Sequence, residues 1–186
     1  MTRLTLHTPD TAPDASRPLV DQALKTNGFL PNLIGILAGS PLALETYFTV
    51  GGINARASLT LAEREVVQIT AARLHGCDFC VAGHSAVAVR KAGLPTADVV
   101  ALQQGQATGE PRLNAVLAFA TAVIAHRGGV PDADLQAFHA AGFTEQQALE
   151  VVLGISLATL CNFANTLAQS PVNPQLEGFR AGVLQA

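Results

Sequence analysis

Apolar residues recur at three- and four-residue spacing along most of the 186-residue chain. Val and Ile sit among Ala, Gln and Glu instead of alternating with polar residues, so strand signals are scarce and the pattern predicts an all-α protein. Ser40-Pro41 supplies an N-cap followed by proline at the first helical position, and Thr60 to Glu63 has the spacing of a capping box. The helix begun at Thr60 is predicted to run to Leu74 or His75 and stop at Gly76. A second helix is expected over about Asp78–Ala92, ending at Gly93, with Thr96 as the N-cap of the next. The apolar runs Leu113 to Ala125 and Val151 to Cys161 read as buried helices, shorter than the roughly 20 residues that span a bilayer.

The punctuation repeats. Lys91 to Val100 and Ala140 to Leu149 both read as a helix end, a glycine, an apolar residue, a threonine cap and a new helix. This suggests two related helical halves, with Ala107 to Pro111 as the hinge between them. Residues 1–16 are polar and proline-bearing and lack the apolar core of a secretory signal, so they read as an arm. Residues 17–186 then form a single helical domain, because no linker divides them.

Composition narrows the partners. Only 13% of residues are charged while 49% are hydrophobic, too few charges to coat every helix, so part of the apolar surface is expected to meet further copies of the chain. A net charge of -3 without any Lys/Arg run argues against nucleic acid or anionic lipid. No membrane association is expected, and small molecules or proteins remain as partners. Three cysteines make no disulfide framework, which points to a catalytic or metal-binding pair in a reducing compartment, hence the cytoplasm.

Two of those cysteines, Cys77 and Cys80, are three apart, and His84 follows four residues after the second. On a helix, residues 80 and 84 are neighbours one turn apart, whereas residue 77 lies about 10 Å along the axis from residue 84. The imidazole therefore serves Cys80 directly, which selects Cys80 as the nucleophile. The first turn of a helix also favours thiolate, so both sulfurs are expected to be acidified. Folding the preceding helix back across Gly76 brings Glu65 to the depth of His84, with Ala71 and Ala72 small enough for close approach. A carboxylate there would fix the tautomer of the ring and raise its basicity. Oxidation of Cys80 to a sulfenic acid would leave Cys77 placed to condense with it.

Glu65, then Cys77, Cys80 and His84 in a C-x-x-C-x-x-x-H pattern, resembles the active-site motif of the alkylhydroperoxidase D (AhpD)-like branch of the carboxymuconolactone decarboxylase superfamily. The resemblance implies an AhpD-like helical bundle of two related halves, assembled as trimers or hexamers. It implies reduction of organic hydroperoxides with electrons from a lipoyl or thioredoxin-like dithiol donor, without a cofactor. Carried over, Cys80 is the peroxidatic thiol, Cys77 the resolving thiol, and His84 with Glu65 the proton relay. One departure stands out: Phe79 occupies the position where the best-known members carry a second histidine. The decarboxylase branch lacks the cysteine pair, which disfavours lactone decarboxylation.

Two other readings stay open. His75, Cys77, Cys80 and His84 are all acceptable zinc ligands, although three of them along one helical face span about 10 Å, against metal bonds of about 2.0–2.3 Å. The pair could also sense redox state, or sit as buried apolar groups, within a helical interaction module that does not turn over. Glu65 by itself reads equally as a surface residue, His75 as a cation at a helix end, and Cys161 as core.

Overall fold

The computed structural model describes residues 2–185, and among them there is no β-strand. Nine α-helices follow one another: α1 (Arg17–Asn27), α2 (Asn32–Leu37), α3 (Pro41–Asn54), α4 (Leu61–Leu74), α5 (Asp78–Arg90), α6 (Thr96–Gln104), α7 (Pro111–Ala125), α8 (Asp132–Ala140) and α9 (Glu145–Ala168), before a 3-10 turn at Pro174–Phe179. The all-α expectation holds.

Local chemistry sets most of these boundaries. Asn27-Gly28, a dipeptide that in other settings makes hairpin turns, here ends α1, with Gly28 in the left-handed region at φ 75°. The Ser40 side chain accepts from the Ala43 N–H ahead of Pro41. Thr60 and Glu63 form the reciprocal capping box that their spacing predicts. Thr144 and Gln147 make a second one at the start of α9. Thr96 departs from expectation. It is the first residue of α6, one place too late to cap, and Pro95 takes the cap position without a side-chain bond. The two repeated segments thus share their spacing but not their capping chemistry.

Two further segments differ from their sequence reading. The run Val151 to Cys161 belongs to a helix of 24 residues that by length and composition could cross a bilayer, and its inner face is buried in the bundle at Val151, Gly154, Ala158, Cys161 and Asn165. The loop at Ala107 to Pro111 is pinned: Asn114 bonds Thr108 through both its amide oxygen and nitrogen, and Asp98 accepts from the Gly109 N–H at 2.8 Å. Residues 2–16 lie against the body through Arg3 N–H to Ala168 C=O and His7 N–H to Gly35 C=O. A Cβ at Gly35 would fall 2.6 Å from the His7 carbonyl, so glycine is what admits this approach.

The buried apolar residues separate into two clusters. One gathers α6, α7 and α8 with Val66, Val67 and Ile69 of α4 and part of α9, around stacked Phe119, Phe138 and Phe143 with ring centroids 4.2–4.3 Å apart. The other gathers α1, α2, α3 and α5 with Cys161 and Leu176, and it contains all three cysteines. Helices α4 and α9 run between the two. The 3-10 turn lies on α5, held by Gln103, whose amide donates to the Ser85 hydroxyl and to the Phe179 carbonyl.

Candidate active site

The turn from α4 to α5 is built from backbone geometry. Gly76 adopts φ 69°, its N–H bonds the Arg73 carbonyl, and the Cys77 N–H reaches the Ala72 carbonyl at 2.9 Å. These two bonds form a Schellman stop. Cys77 then becomes the N-cap of α5, its sulfur accepting from the Cys80 N–H at 3.4 Å. One residue closes α4 with its backbone and opens α5 with its side chain. Across this turn α4 and α5 pack along much of their length, with Ala71 and Ala72 fully buried between them.

That packing brings Glu65 to His84. Oε2 of the carboxylate lies 2.8 Å from Nδ1 of the ring, so Nδ1 carries the proton and donates. Glu65 is almost wholly buried, while the His84 side chain keeps 31% of its exposure, which leaves its other edge open. Burial works against protonation of this ring, but the Glu65 charge and hydrogen bond outweigh it and raise the His84 pKa above its ordinary value. Glu65 is therefore not the surface residue that its neighbours Glu63 and Arg64 allow. Glu63 is buried too, and holds Arg112 Nε at 2.6 Å besides its cap bond.

Cys77, Cys80 and Cys161 are all free and buried. The expected acidity holds for one member of the pair only. A hydrogen bond from the Cys80 thiol and the Cys80 N–H lower the Cys77 pKa. The same thiol bond raises that of Cys80, and burial adds to the rise. The helix-end argument reaches Cys77, which caps the helix, and fails for Cys80, whose sulfur points inward at the third helical position. No hydrogen bond joins either sulfur to the His84 ring among the described residues.

Cys80 and His84 instead meet at a shared cavity of about 710 Å³. Its wall is formed by Phe29, Tyr47, Phe48 and Phe79 with aliphatic side chains of α2, α9 and the 3-10 turn. Cys77 is not part of that wall. Phe79 thus supplies apolar surface where a second histidine would add a polar group.

Three groups of this site escape sequence reading. Asn165, buried on α9, donates from Nδ2 to Cys80 Sγ at 3.3 Å and works against the rise in its pKa, while its Oδ1 has no partner. Cys161, one turn earlier on α9, lines the same cavity, and burial pushes its thiol up to about 12. Tyr47, also in the wall, is held neutral, first by burial and then by Cys161, Cys80 and Glu65. An i, i+4 pairing of Cys161 with Asn165 is visible in the sequence, but nothing local aims that face at residue 80.

His75 ends α4 and turns from the pair to Asn162, with Nδ1 3.1 Å from the amide nitrogen. Burial lowers its pKa, so it is a neutral acceptor and not a helix-end cation. No group of three or more His, Cys, Asp or Glu side chains placed to hold a metal ion occurs among the described residues.

The structure is thus an all-helical bundle presenting a thiol pair beside a buried carboxylate–imidazole couple. Residues 41–122, from the start of α3 through most of α7, match the model of the carboxymuconolactone decarboxylase family. The fold is similar over the whole chain to a peroxidase-related protein from Ralstonia eutropha JMP134 described as an alkylhydroperoxidase AhpD core, with a TM-score of 0.85 at 23% identity, covering 100% of this chain and 98% of that one. A peroxidase-related protein from Silicibacter sp. TM1040 has a TM-score of 0.82 at 20% identity, covering 96% of each chain. The debrominase Bmp8, in a complex with 2,3,4-tribromopyrrole, has a TM-score of 0.76 at 18% identity, again covering 96% of each chain. Comparison with curated protein sequences gives no significant match.

Proposed function

We propose that the chain is a thiol-dependent hydroperoxide reductase. The observation that carries this reading is that Cys80 and His84 open into one apolar cavity while the far side of the imidazole is bound to buried Glu65. Of the two thiols Cys77 gives up its proton more readily, because the Cys80 thiol and N–H stabilise its thiolate, and the reaction starts from that form. As Cys80 attacks the peroxide, its proton passes to Cys77, the S–O bond forms, and the O–O bond breaks. The alkoxide takes a proton from His84, whose raised pKa keeps it available as an acid. Asn165 steadies the charge that develops on Cys80 Sγ. Cys77 then attacks the sulfenic sulfur, water leaves, and a disulfide remains. An external dithiol, of the lipoyl or thioredoxin type, restores both thiols by exchange. The reaction sums to one hydroperoxide and two thiols giving one alcohol, one disulfide and one water.

The exposed apolar side chains Leu149, Val152, Phe163 and Leu167 on α9 support assembly with further copies of the chain, and the family resemblance alone suggests a trimer or hexamer. The reducing pair suits a cytoplasmic setting. Mass spectrometry before and after addition of a hydroperoxide tests the core of the proposal. The expected result is a loss of two mass units confined to the peptide holding Cys77 and Cys80, with Cys77→Ser instead accumulating a trappable sulfenic acid at Cys80. Equal residual turnover in Cys80→Ser and Cys77→Ser would remove the assignment of roles.

A second reading draws on the likeness to Bmp8 and on the aromatic wall of Phe29, Phe48 and Phe79. A halogenated ring entering this cavity would lose its halide while gaining hydrogen, with the two thiols oxidised to the same disulfide. Bromide release from a bromopyrrole, measured beside peroxide consumption under identical dithiol supply, separates the two. A pair that cycles with neither substrate would be a redox sensor.

A further inference from the structure

Helix α5 runs along the cavity like a ruler. Cys80, Gly83, His84, Val87, Arg90 and Lys91 all line it, a stripe at helical spacing. Residues 80 and 90 are ten apart, so their backbone positions are separated by about 15 Å along the axis. Beyond His84 the stripe continues with Val87, and Phe48 and Leu176 add apolar surface from other elements. Every side chain in the lining that is charged at neutral pH is cationic, and no Asp or Glu contributes to it. This is uneven for a chain with 14 acidic and 11 basic residues. Arg90 is held in place over the Phe179 ring, 4.4 Å from its centroid, while Lys91 is exposed and makes no ion pair among the described residues.

We infer that the cavity takes long-chain hydroperoxides bearing an anionic head group, with the anion at Arg90 and Lys91 and the apolar body laid along α5 toward Cys80. The separation corresponds to roughly ten to twelve carbons, each bond of about 1.5 Å advancing somewhat less than its length. A volume of about 710 Å³ accommodates such a chain, within the range of about 300–1,000 Å³ usual for ligand pockets. The hydroperoxide identity rests on the function proposed above, while the anionic amphiphile rests on the cavity alone. Basic residues at a helix C-terminus also complement the dipole, but that role does not require them to line a cavity free of carboxylates.

Calorimetry with the reduced protein tests the cavity independently of turnover, using dodecanoate and dodecan-1-ol as probes. Dodecanoate is expected to bind at least tenfold more tightly, a preference that high salt weakens and that Lys91→Glu and Lys91→Gln both reduce severalfold. Lys91 is exposed, so neither variant threatens the fold. Equal affinity for acid and alcohol, or a preference untouched by both variants, overturns the inference. A twelve-carbon hydroperoxy acid should show at least a tenfold advantage in kcat/KM over its methyl ester, and a twelve-carbon alkyl phosphate binding more tightly than dodecanoate would support the anionic site and assign its head group to phosphate. Selective dodecanoate binding without peroxide turnover supports the inference and sinks the peroxidase reading; turnover of acid and ester at equal rates does the reverse.

Discussion

The two apolar clusters of this molecule are built from similar helices and put to different use. In the cluster around α7 and α8, Phe138 stacks between Phe119 and Phe143 at ring separations of 4.2–4.3 Å, and Arg112 caps the outer ring at 3.9 Å while bonding buried Glu63. In the cluster around α5, two of the three thiols, Cys80 and Cys161, and a tyrosine border a cavity large enough for a ligand. Protein interiors close-pack wherever nothing prevents it, so a void of this size forfeits dispersion energy that the other cluster retains. The contrast teaches where packing is given up: one cluster holds the bundle together, and the other leaves room for a ligand.

Substitutions break this division most sharply at its two centres. Cys80→Ser is expected to lower peroxide consumption on the order of ten-thousandfold, about 5.5 kcal/mol of barrier, with thermal melting little changed. Phe138→Ala should act inversely, costing about 3–5 kcal/mol of stability and roughly 10 °C in Tm for a chain of this length, with kcat/KM of the surviving folded protein within twofold. Glu65→Gln comes next, with activity down about a hundredfold, or roughly 2.7 kcal/mol. Because Glu65 raises the His84 pKa, its stabilisation of the protonated ring is full below the ordinary value of 6.5 and is lost as pH rises through the raised value. The stability gap between wild type and Glu65→Gln should therefore narrow from pH 6 to pH 9 in denaturant titrations, and NMR should find the His84 titration moved to lower pH in the variant. Glu63→Ala, which opens the Thr60 cap and strands Arg112, should cost about 2 kcal/mol in chemical denaturation without changing the pH profile of activity. The smallest effect belongs to Cys161: with its thiol pushed up to about 12 from 9.0, its thiolate fraction and alkylation rate should fall on the order of a thousandfold, and Cys161→Ser should alter turnover less than threefold.

What could be read from the sequence follows from how far each signal travels along the chain. The α4–α5 hairpin was legible because its determinants are neighbours: the Thr60–Glu63 cap, the glycine stop at Gly76, and the spacing of residues 77, 80 and 84. Glu65 could be matched to His84 because a short turn forces two antiparallel helices into register. Asn165 and Cys161 were illegible, since they reach Cys80 and its cavity from α9 through tertiary packing alone. The acidity of Cys80 was misjudged because position in the first turn says nothing of which way a sulfur faces or what proton its neighbour shares. Thr96 failed as a cap by a single residue, a margin set by Pro95 ahead of it. The length of α9 was underestimated because its flanks, Glu145 to Glu150 and Asn162 to Ala168, carry polar residues that interrupt the apolar run without interrupting the helix.

The chain contains no tryptophan and a single tyrosine, and that one ring stands in the wall beside Cys80 and Cys161. Its near-ultraviolet emission accordingly originates from one chromophore set against the sulfurs, undiluted by reporters elsewhere. A change of state at Cys80 under the proposed reaction is expected to alter that emission, which would time the event in the unlabelled native chain.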